Sequence, residues 1–173
     1  MLNPALFAAL TAAAASEYER TDGAPMPWPL AFLVAPLVMH RGTRDALPRD
    51  TRTHLGNWVQ QHPVIHAGIG ARAQSLADPV REGIRFGLRH GVLNVDDQGR
   101  LSGTLAPVPK AAAATTSGSA AGATAGSAGG AVRGVGEPGS EVGVLLAKAG
   151  MVGKWLTKLD QPATAFAMLG VAP

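Results

Sequence analysis

Apolar side chains in this chain recur mostly every three or four residues, the period of helices with one buried face. Near the start, Asn3 stands where a helix cap belongs and Pro4 at the first helical position, and Leu6, Phe7 and Leu10 then repeat at helical spacing. This predicts a first helix ending near Arg20. Its middle, Ala12 to Ala15, combines high helix propensity with little side-chain volume, so another element can approach closely there. The stretch "TDGAPMPWP" breaks it. The next segment, "LAFLVAPLVMHRG", is apolar on all sides, as in a helix enclosed by others or a central strand. Its length favours a helix, kinked by Pro36 and closed by Arg41-Gly42.

From Thr51 the pattern becomes regular. "TRTHLGNWVQQHP" puts Leu55, Trp58 and Val59 on one face, and "VIHAGIGARAQSLA" does the same with Ile65, Ile69 and Leu76, predicting two short helices. Asp78-Pro79 then supplies a cap and a first-turn proline for a third helix, on which Val80, Ile84, Gly87 and Leu88 share a face before Gly91 ends it. "VLNVDDQGRLSG" alternates apolar and polar residues around Asp96-Asp97-Gln98-Gly99, the pattern of a β-hairpin. Three helices followed by a hairpin predict a mostly α, winged-helix-like domain over residues 1–105.

Residues 106–140 are Ala, Gly and Ser with scattered Pro and almost no large apolar group, which reads as a flexible low-complexity linker. Helical spacing returns in "EVGVLLAKAGMVGKWLTKL", and Asp160 with Pro162 opens a last short helix through Leu169. A helical pair this short is marginal alone, so residues 141–173 are expected to dock back on the first domain. Because loop-closure entropy changes by only about 0.6 kcal/mol per doubling of loop length, deleting residues 111–135 should leave a cooperative thermal transition in place. Loss of that transition would identify an ordered segment there.

Only 5% of residues are aromatic, so the core must lean on Leu, Val and Ile. A net charge of +3 favours association with polyanions but falls short of a dense basic stripe. The chain has no cysteine, which removes disulfides, thiolate metal sites and a cysteine nucleophile. No signal-peptide pattern opens the sequence, and the apolar run from Leu30 to Met39 is too short to span a bilayer, so a cytoplasmic location is the simplest expectation.

Among charged positions, Arg81, Arg85 and Arg89 recur every four residues along the third predicted helix, where a winged helix presents its groove-facing side chains; Arg100 in the wing would join them. A solvated face with Glu82 pairing to Arg85 is the plainer reading. Phe86, off the apolar face, suits a protein interface, or packs under the wing. On the C-terminal helix, Lys148, Lys154 and Lys158 line the side that carries Met151 and Trp155, an arrangement better suited to an acidic partner than to a membrane. His62 and His66 are one turn apart but lack an HExxH pattern, so surface histidines are expected rather than a metal site. No GxSxG surrounds a serine, the glycines at 129–139 lack a phosphate-loop Lys-Ser/Thr, and Asp96-Asp97 read as turn residues. No catalytic residue, metal or cofactor is predicted.

Several segments taken in order carry a resemblance: "NPAL", "PLAFLVAPLVMHRGTRDALP", "TRTHLGNWVQQHP", "FGLRHGVLNV" and the closing "GKWLTKLDQPATAFAMLGVAP". Together they resemble the middle component of bacterial three-component ABC systems. The resemblance implies a small non-enzymatic adaptor that couples an ABC ATPase, related to chromosome-maintenance and repair ATPases, to a third component or to DNA, in conflict with phages or other invading DNA. No small-molecule substrate is expected, and the absence of a lipidation motif with an only modestly basic C-terminal helix argues against membrane association. The long Ala/Gly/Ser insert departs from the compact form so implied. A DNA-binding winged-helix regulator, using Arg81, Arg85, Arg89 and Arg100 on phosphates, is the alternative.

Overall fold

The first helix, α1 (Pro4–Asp22), starts where the Asn3 side chain accepts a hydrogen bond from the Ala5 amide at 3.0 Å. It ends at Gly23, whose left-handed φ of 80° turns the chain while its amide donates to the Glu19 carbonyl. The computed structural model describes residues 3–104, 140–159 and 161–171. The expected linker, except Ser140, and Asp160 lie outside these described residues.

Helix α1 forms the centre of the molecule because its middle is small enough to be approached from several sides. Phe7, Ala8, Leu10, Ala12, Ala14 and Ala15 are all buried. Three glycines from three other elements close on it. A Cβ at Gly153 would lie 2.1 Å from the Ala14 carbonyl oxygen, one at Gly103 2.1 Å from the Ala12 carbonyl oxygen, and one at Gly83 2.4 Å from the Phe7 Cβ. The alanine run thus serves the purpose its composition predicts, with Gly103 and Gly153 as the matching residues, while Gly83 meets α1 ahead of the run, at Phe7 and Ala8.

Met26–Pro27 follows as a two-residue strand, β1, and a 3-10 turn over Trp28–Leu30 leads into α2 (Ala31–Val38). Its residues Leu33 to Val38 are all buried, as an all-round apolar helix requires. Arg41-Gly42 does not simply close this segment. Both residues belong to the first turn of α3 (Arg41–Ala46), which His40 caps by accepting from the Thr43 amide at 3.1 Å. The nearly buried Arg44 then donates to the Val38 carbonyl at 3.0 Å, satisfying an acceptor left open at the end of α2.

Two short helices, α4 (Leu55–Gln61) and α5 (Pro63–Ala67), precede α6 (Ile69–Arg89). Asp78-Pro79 does not begin a new helix as expected, because α6 runs through Pro79 for 21 residues. Its buried residues, Ile69, Ala73, Val80, Gly83 and Gly87, continue one stripe across the proline. Packing that stripe on α1 and α2 outweighs the one backbone hydrogen bond that proline removes. Leu88, expected on this stripe, is 38% exposed.

Past α6 comes the expected hairpin, β2 (Leu93–Val95) and β3 (Arg100–Gly103), turning at Gly99 with φ 72°. Strand β1 pairs antiparallel with β3 in the register Met26 to Leu101, giving a three-stranded sheet of order β1-β3-β2. This third strand lies in the segment read as a break. Two residues are too few to show alternation.

The C-terminal helices do dock back. α7 (Glu141–Leu156), capped by Ser140, packs along α1, and Trp155 donates from its indole nitrogen to the Thr53 carbonyl at 2.6 Å. The Trp155 ring meets Trp58 edge-on at 5.7 Å. α8 (Pro162–Met168) carries buried Ala165 and is followed by buried Leu169 and Val171. Among the described residues no helix is long and apolar enough to cross a membrane.

Candidate partner interface

Along α6, the buried stripe divides the predicted site residues into two flanks. At about 100° of rotation per residue, Arg81, Arg85 and Leu88 fall on one side, Phe86 and His90 on the other, and Arg89 nearly opposite the stripe. Arg81, Arg85 and Arg89 are all exposed. Arg81 pairs with Asp78 at 2.6 Å and Arg85 with Glu82 at 2.5 Å, while Arg89 has no ion pair among the described residues. Both pairs are solvated i,i+3 contacts, of the kind that contribute about 0–1 kcal/mol. Phe86 is half-buried with its ring 4.1 Å from that of His90. It therefore does not form one surface with the arginines.

The arginine flank is instead completed by an aromatic pair that the sequence did not mark. Trp28 is 51% exposed and meets Phe32 edge-on at 5.8 Å, and the Arg81 guanidinium lies 5.8 Å from the Phe32 ring centroid. Trp28 is fixed from below by its amide, which donates to the Gly99 carbonyl at 3.3 Å, and Gly99 leaves room for the indole. Pro27 and Pro29 on either side restrict the backbone. A file of Trp28, Phe32 and Arg81 thus runs from the hairpin turn to the middle of α6.

Arg100 does not join this file. It is half-buried and lines a cleft with Tyr18 and Asp22, between the C-terminal ends of α1 and α7. Tyr18 is pushed above its ordinary value near 10, first by burial and then by Asp22, with Arg100 opposing. A raised tyrosine favours the folded state's neutral form. Stability should therefore be unaffected by this group below about pH 10 and fall as pH rises from there through the folded-state value. In an ultraviolet absorbance titration, Asp22→Asn should bring the Tyr18 midpoint down; an unchanged midpoint would show that Asp22 does not act on the phenol.

Trp155 needs correction as an interface residue, because it is only 2% exposed and belongs to the core. Lys154 near the end of α7 and Lys158 just beyond it are exposed, while Lys148 is half-buried. His62 and His66 bond to backbone oxygens instead of sharing a ligand. The ring of His62 lies 2.9 Å from the Trp58 carbonyl oxygen and that of His66 2.9 Å from the Met168 carbonyl oxygen. Among the described residues no three His, Cys, Asp or Glu side chains stand close enough to hold a metal. Asp96 acts as a turn residue, its carboxylate accepting from the Gln98 and Arg100 amides at 2.9 and 2.7 Å.

Residues 1–132 match the model of the family described as ABC-three component (ABC-3C) system Middle Component 3. The chain belongs to that family. No curated protein and no solved structure matches it. The matched part of this ABC-3C middle component contains α1 through the hairpin, and with them Trp28, Phe32, the three α6 arginines, Phe86 and Arg100. Helices α7 and α8, with Lys154, Trp155 and Lys158, lie beyond it. The one available signal for Trp28 was a large aromatic held between prolines, in a segment with no helical face on which to bury it.

Proposed function

We propose that this ABC-3C middle component is an adaptor with no chemistry of its own, binding the ABC ATPase of its system and linking it to the third component in a response to phages or other invading DNA. Family membership carries this reading. Exposed Trp28 and Arg81, joined through half-buried Phe32 within the matched residues, support it, because tryptophan and arginine are the side chains that most often dominate interface energy. Lys154 and Lys158 offer a second, basic contact for an acidic surface. Co-expression with the ATPase encoded beside it should yield one complex in size-exclusion chromatography with light scattering. Separate elution of the two proteins would refute the adaptor reading.

A winged-helix DNA regulator is the second reading, favoured by the direct run of α6 into the hairpin and by exposed Arg89. Against it, Arg81 and Arg85 each stand beside a carboxylate that would also face the phosphates, so the stripe is not purely basic. If the arginines contact phosphates, replacing Arg81, Arg85 and Arg89 with alanine should reduce the salt slope of duplex binding by about 0.9 per lost contact. We expect instead, by fluorescence anisotropy, salt-sensitive affinity too weak for a dedicated regulator and little changed by the triple substitution.

A further inference from the structure

The cleft at the C-terminal ends of α1 and α7 takes no part in the adaptor surface. Its volume is about 380 Å³, within the range of roughly 300–1,000 Å³ usual for ligand pockets. Polar groups reach it from several parts of the chain: Tyr18 and Asp22 from α1, Arg100 from β3, and Thr157 and Gln161 from the C-terminal segment. Leu156 contributes an apolar wall. Asp22 and Arg100 bring opposite charges to the same space, yet among the described residues neither forms an ion pair. The three residues line the same cleft, and Asp22 and Arg100 act electrostatically on the Tyr18 phenol in opposite directions.

We propose that this cleft binds a small zwitterion of amino-acid or dipeptide size, its carboxylate on Arg100 and the Tyr18 hydroxyl and its ammonium on Asp22. The charge arrangement selects for this class. An anion alone meets the Asp22 carboxylate and a cation alone meets the Arg100 guanidinium, whereas a molecule carrying both charges satisfies both. Gln161 also lines the cleft, and the Thr157 hydroxyl, which donates to the Lys154 carbonyl at 2.8 Å, keeps an acceptor for the ammonium. A bound zwitterion therefore ties α1 and β3 to the C-terminal segment, and by mass action it stabilises the docked arrangement of α7 and α8.

Tyrosine occurs once in the chain, so isotope-labelled tyrosine gives a single ring signal that reports directly on the cleft. The full-length protein is titrated with glycine, β-alanine and glycylglycine, which step the separation between the two charges, and with acetate and methylammonium as single-charge controls. At least one zwitterion should shift the Tyr18 signal saturably with a Kd of about 1 mM or below, an affinity within reach of so few non-hydrogen atoms. Acetate and methylammonium should bind about tenfold more weakly or worse. Arg100→Gln and Asp22→Asn should each weaken the zwitterion about tenfold or more, as expected when a charge-assisted hydrogen bond is lost, with melting curves like the parent's. Absence of a saturable shift with all three zwitterions overturns the proposal, as does a response to acetate as strong as to the best of them. Unchanged affinity in both variants also overturns it.

Discussion

Trp155→Ala should lower the stability of the full chain by about 3–5 kcal/mol, the range for truncating a buried tryptophan. The ring fills the junction of α7 with the loop before α4, and its removal leaves three separate losses. A large cavity opens beside Trp58, the edge-to-face contact disappears, and the Thr53 carbonyl loses its donor in a part-buried position. For a chain of this size, the loss corresponds to a fall in Tm of about 6–20 °C, read by circular dichroism. A fall of less than a few degrees would mean that α7 is not docked through Trp155 in solution. The same measurement guards against misreading any lost partner binding in this variant, since an unfolded chain also fails to bind.

Gly153→Val should be comparably damaging, for the opposite reason. The valine would force side-chain atoms into the backbone of α1, where even a Cβ at position 153 stands 2.1 Å from the Ala14 carbonyl oxygen. Because the obstacle is helix backbone, the two helices must move apart, and such overpacking costs about 1–3 kcal/mol or more. Gly153→Ala sharpens the test. In an exposed helix, replacing glycine by alanine stabilises by about 1 kcal/mol. At Gly153 the sign should reverse, whereas Gly56→Ala in α4, where nothing lies within 4 Å of the added Cβ, should stabilise. If both substitutions stabilise, the close seam between α1 and α7 is absent.

These two positions also show what was legible beforehand. The alanine run of α1 announced a close approach by another element, and the return of helical spacing after residue 140 announced helices that dock back; both readings rest on residue volume and period, which are local. The partners of the alanines were not legible. Gly83, Gly103 and Gly153 are distant in sequence and become meaningful only when the fold brings them to one helix. Pro79 misled for a related reason: its local preference to start a helix lost to a continuous buried stripe formed with α1 and α2. Trp155 was placed on a surface because its neighbours Lys154 and Lys158 are charged, yet one helical step separates exposed from buried positions. Trp28 sits in an irregular segment, where periodicity assigns no face. The arginine stripe was visible, but its division from Phe86 and its joining to Phe32 required the neighbouring helix.

We propose that the file of exposed Trp28 and Arg81, with half-buried Phe32 between them, holds the ATPase of the ABC-3C system. Isothermal titration calorimetry of that ATPase with the parent and with Trp28→Ala tests it directly. The indole is half exposed, so its truncation should leave the melting curve nearly unchanged. Affinity should fall about 30-fold, as for a hot-spot residue worth roughly 2 kcal/mol. Equal affinities for parent and variant, with both proteins folded, would contradict the claim and move the interface elsewhere on the molecule.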